Sequence, residues 1–217
     1  MASPLERRAQ IHAALGEPHR LAIVEELAWS DRTPTQLGDA IGLPSNLVAH
    51  HLDVLEEAEL IERFASTADR RRRYIRLLHE PLDRLAGGQA APPGPILFVC
   101  TGNSARSQLA AALWTDRTGR PADSAGTTPA HRVHPMAVAA ARRAGLSLRG
   151  STPTRLDDEV AEAASVVVTV CDQAYEELTS PAGWWHWSTP DPVLDGTDEA
   201  FDATIAQLDQ RISAFQD

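Results

Sequence analysis

Lysine is absent from this chain: all 20 basic side chains are arginines, outnumbered by 30 aspartates and glutamates. The formal charge of −10 excludes non-specific binding of nucleic acid by the surface at large, because a net acidic field repels a polyanion. Any such contact must come from a local basic cluster, and Arg70, Arg71, Arg72 and Arg73, with Arg76 just beyond, supply one. Cysteine is scarce too. Only Cys100 and Cys171 occur, too few for a disulfide framework, so free thiols in a cytoplasmic protein are expected. Long apolar runs are missing. No stretch approaches the ~20 residues that cross a bilayer, and the early arginines are not followed by the apolar core of a signal peptide. No membrane partner is expected. What is present, 43% hydrophobic and 23% charged residues, suffices for ordinary globular cores.

A length of 217 residues admits one large domain or two small ones, and the pattern along the chain decides for two. The segment GGQAAPPGP, Gly87 to Pro95, joins glycines to three prolines without a charge, a composition that resists helix and sheet ladders alike. Residues 1–86 therefore read as one domain, 87–94 as a linker and 95–217 as a second domain. No internal repeat is visible.

Before the linker the pattern is helical. Helices are expected from Leu5 to Leu15 and from Pro18 to Leu27, joined by Gly16-Glu17-Pro18. Thr33, followed by proline, caps a third helix over Thr35 to Ile41. Gly42 ends it, and Pro44-Ser45 opens a fourth in which Leu47, Val48, Leu52 and Leu55 recur at helical spacing. Two short helices about a glycine turn make a helix-turn-helix. Ile61 to Phe64 and Arg73 to Leu77 then alternate like strands around the polar turn Ala65 to Arg72, which adds a wing with an arginine-rich tip. Ser45, Asn46, His50 and His51 lie near the start of the second helix of the motif, where base edges are read. Arg70 to Arg73 suit phosphate neutralisation. His51, four residues from both Leu47 and Leu55, also fits the edge of a core, so His50 is the better contact. The domain has no cysteine, and His79, Glu80 and Asp83 read as a polar helix end, so no metal site is expected.

Beyond the linker, short apolar strands alternate with helices, the pattern of an α/β three-layer domain with a parallel sheet. Ile96-Leu97-Phe98-Val99 is a continuous apolar run, as in a strand buried on both faces. It leads into Cys100-Thr101-Gly102-Asn103-Ser104-Ala105-Arg106-Ser107 and then a helix from Gln108 to Trp114. This is a Cys-x5-Arg phosphate loop. Thr101, Gly102, Asn103, Ser104, Ala105 and Ser107 let backbone amides converge on a tetrahedral oxyanion at a helix N-terminus. Arg106 offers a planar fork to two of its oxygens, and the same dipoles favour a Cys100 thiolate. A second strand closes at Asp123 to Thr127, and an alanine-rich helix runs from His134 to Ala144. A third strand, Val166 to Val170, ends at Cys171, so both cysteines fall at the carboxyl edge, where open α/β sheets hold their sites. Asp191 sits between two prolines in a rigid loop. Thr197 caps a last helix whose Phe201, Ile205, Leu208, Ile212 and Phe215 form one core-packing stripe.

The motifs LGEPHRLAIVEEL (Leu15 to Leu27), SNLVAHHLDVLEEAEL (Ser45 to Leu60) and RRRRYIRL (Arg70 to Leu77) resemble the ArsR/SmtB-type winged-helix repressors over residues 8–80. The resemblance implies a homodimer on double-stranded operator DNA, with one helix of each motif in the major groove and each wing on the backbone. Ala49 stands where many members carry a polar residue. Glu59 replaces the common glycine before the wing, so a left-handed turn there is expected to be strained or absent. Members that sense soft metals use thiolates, which this domain lacks.

The motifs FVCTGNSARSQLA (Phe98 to Ala110), SAGTTPA (Ser124 to Ala130), VHPMAV (Val133 to Val138), VVVTVCD (Val166 to Asp172) and Asp191-Pro192 resemble the low-molecular-weight protein tyrosine phosphatase superfamily over residues 96–215. Within it, Gln108 and Val193 look like the arsenate reductase branch, since the phosphatases more often carry proline and an aromatic residue there. The resemblance implies that Cys100 attacks an arsenate or phosphate oxyanion and that Arg106 and the loop amides hold it. Asp191 then protonates the leaving group, while Asn103 and Ser107 brace the loop. Cys171 matches the resolving position of a redox relay, and can equally be a buried strand-end thiol with no redox part. The third cysteine of thioredoxin-linked members is missing from Asp172 to Trp184. The reductant implied is thus an external thiol (mycothiol, glutathione or a thioredoxin system), with no tightly bound cofactor. Three functions stay open: an arsenic-responsive repressor fused to an arsenate reductase, a phosphatase on a DNA-binding chain, and a non-catalytic oxyanion or redox sensor. Asp191 speaks against the last, because a receptor needs no acid.

Overall fold

The computed structural model describes residues 4–79, 82, 89–90, 92–179 and 183–216. Glu80 and Asp83 of the expected polar helix end, and Gly87, Gly88 and Ala91 of the expected linker, lie outside the described residues. The chain divides into two compact units, Met1–Gly87 and Gly88–Asp217. Among the described residues no helix is long and apolar enough to cross a membrane.

The first unit holds α1 (Pro4–Leu15), α2 (Pro18–Trp29), α3 (Pro34–Ile41) and α4 (Ser45–Glu57), then the antiparallel pair β1 (Ile61–Ala65) and β2 (Arg73–Leu77). A capping box opens α3. Thr33 Oγ1 accepts from the Gln36 amide at 3.3 Å, and the Gln36 side chain accepts from the Thr33 amide at 2.9 Å. Gly42 closes α3 at φ 69°, its amide bonded to the Gly38 carbonyl. Gly38 is itself required, since a Cβ there would lie 2.8 Å from the Leu43 carbonyl oxygen. Ile23, Leu27, Leu37, Val48, Leu52, Leu55 and Ile75 share one core. Leu47, expected with them, is instead 43% exposed. Val48, Leu52 and Leu55 follow the buried stripe at intervals of four and three, and Leu47 stands one helical step off it. Glu59 does take the left-handed turn, at φ 56°, and its carboxylate pairs with Arg7 at 3.0 Å.

The second unit holds β3 (Gln89–Ala90), β4 (Ile96–Cys100), α5 (Arg106–Thr118), β5 (Ala122–Gly126), α6 (Pro135–Arg143), α7 (Asp158–Glu162), β6 (Val166–Thr169), α8 (Asp172–Glu177), β7 (Trp185–His186), α9 (Pro192–Asp195), α10 (Asp198–Ile212) and β8 (Phe215–Gln216). Four parallel strands stand in the order β5-β4-β6-β7. Central β4 is buried throughout: Leu97 and Val99 pack with Ala125, Val167, Leu156 and Val160, while Phe98 meets the rings of Trp114 and Trp187. Part of the expected linker is sheet. Gln89 and Ala90 keep their amides, the prolines beginning only at Pro92, and they pair in parallel with Phe215 and Gln216. Phe215 thereby leaves the α10 stripe, which ends with Ile212, and stacks on Trp185 and Trp187. α5 runs a full turn beyond Trp114, to a left-handed cap at Gly119.

Candidate functional site

Because β4 ends at Cys100 and α5 begins at Arg106, the loop between them is the carboxyl-edge turn of the central strand. Its carbonyls are taken by the segment after β5. The amides of Thr127, Thr128, Ala130 and His134 donate to the oxygens of Cys100, Thr101, Gly102 and Ser104 at 3.2, 2.9, 2.8 and 2.8 Å. A trans peptide points its N–H opposite to its C=O, so the amides that come after these carbonyls are turned away from that segment. One of them, Asn103 N–H, donates to Cys100 Sγ at 3.2 Å. The approach is possible only because residue 126 is glycine. A Cβ there would lie 2.6 Å from the Thr101 oxygen and 2.9 Å from the Asn103 nitrogen.

Asn103 is the brace. Its backbone is left-handed at φ 45°, a conformation asparagine tolerates better than most residues. Its Nδ2 donates to Ser107 Oγ at 2.8 Å, and its Oδ1 accepts from the Thr154 amide at 2.7 Å and Gln108 Nε2 at 3.1 Å. Ser107 Oγ in turn lies 3.0 Å from Cys100 Sγ. Burial pushes the Cys100 thiol up, against the pull of the Arg106 charge and the Ser107 hydroxyl. The thiol is thus raised, where the loop was expected to lower it.

Arg106 is almost fully buried; it donates to the Thr189 carbonyl at 3.1 Å and to Asp191 Oδ2 at 2.7 Å. Asp191 caps α9, its Oδ1 accepting from the Val193 amide at 3.1 Å. The fold thus brings Arg106 and Asp191 into one ion pair beside the loop. Cys171 precedes α8 as a buried free thiol, with Sγ 3.4 Å from Thr101 Oγ1. Sequence reasoning passed over a buried polar pair nearby. Asp172 and His186 are fully buried and meet at 3.2 Å, and His186 lies 2.9 Å from Thr169 Oγ1 and stacks on Tyr175 at 4.2 Å. The available signal was a histidine inside a tryptophan-rich run, too short to read as a strand.

In the first unit, Ser45, Asn46 and His50 are exposed on α4, and Arg70 to Arg73 are exposed at the hairpin tip. Ser66 shapes that tip, its Oγ accepting from the amides of Ala68 and Asp69 at 3.1 Å each. Two residues leave the group. His51 is turned inward, stacked on His19 and 3.5 Å from Glu17. Arg76 is held by buried Asp31 at 3.0 Å and lies over the Phe64 ring. His79 is buried.

Residues 15–63 match a helix-turn-helix domain. Residues 95–217, more than half of the chain, match the low molecular weight phosphotyrosine protein phosphatase. The chain belongs to the low molecular weight phosphotyrosine protein phosphatase family. Within this family it is similar to an arsenate reductase of Halalkalibacterium halodurans, 35% identical over 130 residues that cover 55% of this chain and 93% of the relative. An arsenate reductase of Bacillus subtilis is 36% identical over 110 residues, 48% of this chain and 78% of the relative. Among solved structures, the tyrosine phosphatase Wzb from Escherichia coli in complex with sulphate is 25% identical with a TM-score of 0.51, covering 55% of this chain and 93% of that one.

Proposed function

We propose that this chain couples operator binding by residues 1–86 to a thiol-dependent arsenate reductase in residues 95–217, with 87–94 between them. The observation that carries the enzymatic half is the convergence at one sheet edge of Cys100, its Asn103–Ser107 brace and the Arg106–Asp191 pair. Cys100 Sγ attacks the arsenic, while Arg106, the amides from Thr101 to Ala105 and Ser107 hold the oxygens. As the S–As bond forms, the Cys100 thiol proton is relayed through the Asp191 carboxylate to the departing hydroxide, and the As–O bond breaks with loss of water. A second thiol then attacks the Cys100 sulfur. The As–S electron pair returns to arsenic, arsenic(V) becomes arsenic(III), arsenite departs and a disulfide remains. Cys171, beside Thr101, supplies that thiol, and mycothiol, glutathione or a thioredoxin system restores the pair.

The same first step on a phosphate ester would be a phosphatase reaction. Two observations favour arsenate: the relatives named arsenate reductase, and a second thiol bordering the loop. The deciding assay gives the protein arsenate with each thiol system and p-nitrophenyl phosphate in parallel. Arsenite formation that Cys171→Ser abolishes, with any ester hydrolysis unaffected, is the expected result. Ester hydrolysis with no arsenite under any reductant would make the enzyme a phosphatase.

For the first unit, a homodimer sets Asn46, His50 and Ser45 against base edges, exposed Leu47 against a thymine methyl, and the wings on phosphates. The effector signal for an arsenic-responsive repressor originates at Cys100 and Cys171, as a bound oxyanion or a disulfide. Operator affinity measured with arsenate, arsenite and thiol oxidant, for wild type and Cys100→Ser, tests this. Affinity unchanged in every condition would mean two independent activities on one chain.

A further inference from the structure

The first unit carries a second group of chemistry-bearing side chains, apart from the wing. Glu17 in the turn before α2, His19 in its first turn and His51 on α4 bring one carboxylate oxygen and two ring nitrogens within 4.8 Å of one another. His19 Nδ1 lies 2.8 Å from Glu17 Oε1, and His51 Nδ1 lies 3.5 Å from Glu17 Oε2. The two imidazoles stack with centroids 5.5 Å apart. Two imidazoles converging on one carboxylate form an N,N,O donor set, which suits a borderline divalent cation and does not need the thiolates this unit lacks.

Three further observations point the same way. His51 Nδ1 is buried and, among the described residues, makes no hydrogen bond, and a coordinate bond would satisfy it. Glu17 presents its carboxylate to both rings, Oε1 toward His19 and Oε2 toward His51. Its Oε2 caps α2 by accepting from the Arg20 amide at 2.9 Å, and a carboxylate oxygen retains a second lone pair for a metal. The Arg20 guanidinium does not compete, because it donates to the carbonyls of Ala14 and Ala13 at 2.5 and 3.2 Å.

We propose that Glu17, His19 and His51 bind a divalent transition cation of the zinc class, with the fourth tetrahedral position open to water. Each neutral imidazole ligates through one nitrogen and keeps its proton on the other. An ion there ties the turn before α2 to α4, the helix assigned to base contact.

The test uses the full chain with Cys100→Ser and Cys171→Ser, which removes thiolates that would capture the metal. Titration with Co2+ should give the visible d–d bands of a tetrahedral site without thiolate-to-cobalt charge transfer, and Zn2+ should displace them. His19 is exposed, so His19→Ala should remain folded. Loss of a ligand should cost no less than the roughly tenfold seen when an outer-shell partner is removed, and Glu17→Gln should do the same. His51→Ala is less informative, because that ring is largely buried. No d–d spectrum, or equal affinity in a folded His19→Ala protein, would overturn the site.

Discussion

At the Cys100 loop the polar groups are bonded to one another before any substrate arrives: Asn103 to Ser107, Ser107 to Cys100, Arg106 to Asp191. At the wing the arginines stand in solvent, and Arg71, with its side chain 93% exposed, reaches Asp69 at 3.3 Å. Both surfaces are suited to anions, yet they are built on opposite terms. A group that reacts with a small oxyanion must hold its donors where charge develops, in a site from which water is excluded, because reorganisation during the reaction would consume the gain. Contacts to a duplex backbone act through counterion release and tolerate flexible side chains. Burial suits the first and would cripple the second. Arg76 shows the boundary: once paired with buried Asp31 it belongs to the scaffold, although in sequence it continues the basic run.

The contrast can be broken experimentally, most severely at the loop. Cys100→Ser should lower turnover on the order of 10⁴-fold or more, while arsenate or phosphate binding survives. Asp191→Asn should cost about 10²–10⁴-fold. Steady-state rates and equilibrium anion binding, measured side by side, check both. A serine variant turning over at the wild-type rate would remove Cys100 from the mechanism.

Gly126→Ala asks whether the loop is held by shape. The added methyl meets backbone atoms of Thr101 and Asn103, so we expect a loss of about 1–3 kcal/mol in denaturant unfolding, with a fall in kcat larger than that destabilisation explains. Normal stability together with normal kcat would show that the close approach does not set the loop.

On the other surface the effects should be smaller and of a different kind. Arg71→Ala with Arg72→Ala should weaken all DNA sequences together and flatten the salt dependence by roughly one unit per lost phosphate contact. Asn46→Ala or His50→Ala should shift sequence preference, by about 1–3 kcal/mol at the base concerned. Gel shifts across a salt series and an operator library separate the two, and the reverse pattern would exchange the assigned roles.

The smallest effect is expected at Glu59→Gly. A left-handed glutamate stores strain that glycine releases, and the exposed Arg7 pair it gives up is worth little. Thermal unfolding should show a gain under about 1 kcal/mol. A clear loss would mean that the Arg7 contact outweighs the backbone.

What the sequence determined by itself was local. An apolar strand running into Cys100, small residues, Arg106 and a helix is a contiguous pattern, and its chemistry needs only near neighbours. The capped helices of the first unit and the hairpin after them were legible for the same reason, because caps, glycine turns and alternation act within a few residues. Tertiary structure decided what depends on residues far apart. It set Asp191 against Arg106, 85 positions away, and brought the strand end at Gly126 so close to the loop that only hydrogen fits. It set His51 against Glu17 and the His19 ring, and it drew Gln89 and Ala90 out of a linker and onto β8. Such placements depend on which surfaces bury each other, and spacing along the chain carries no record of that.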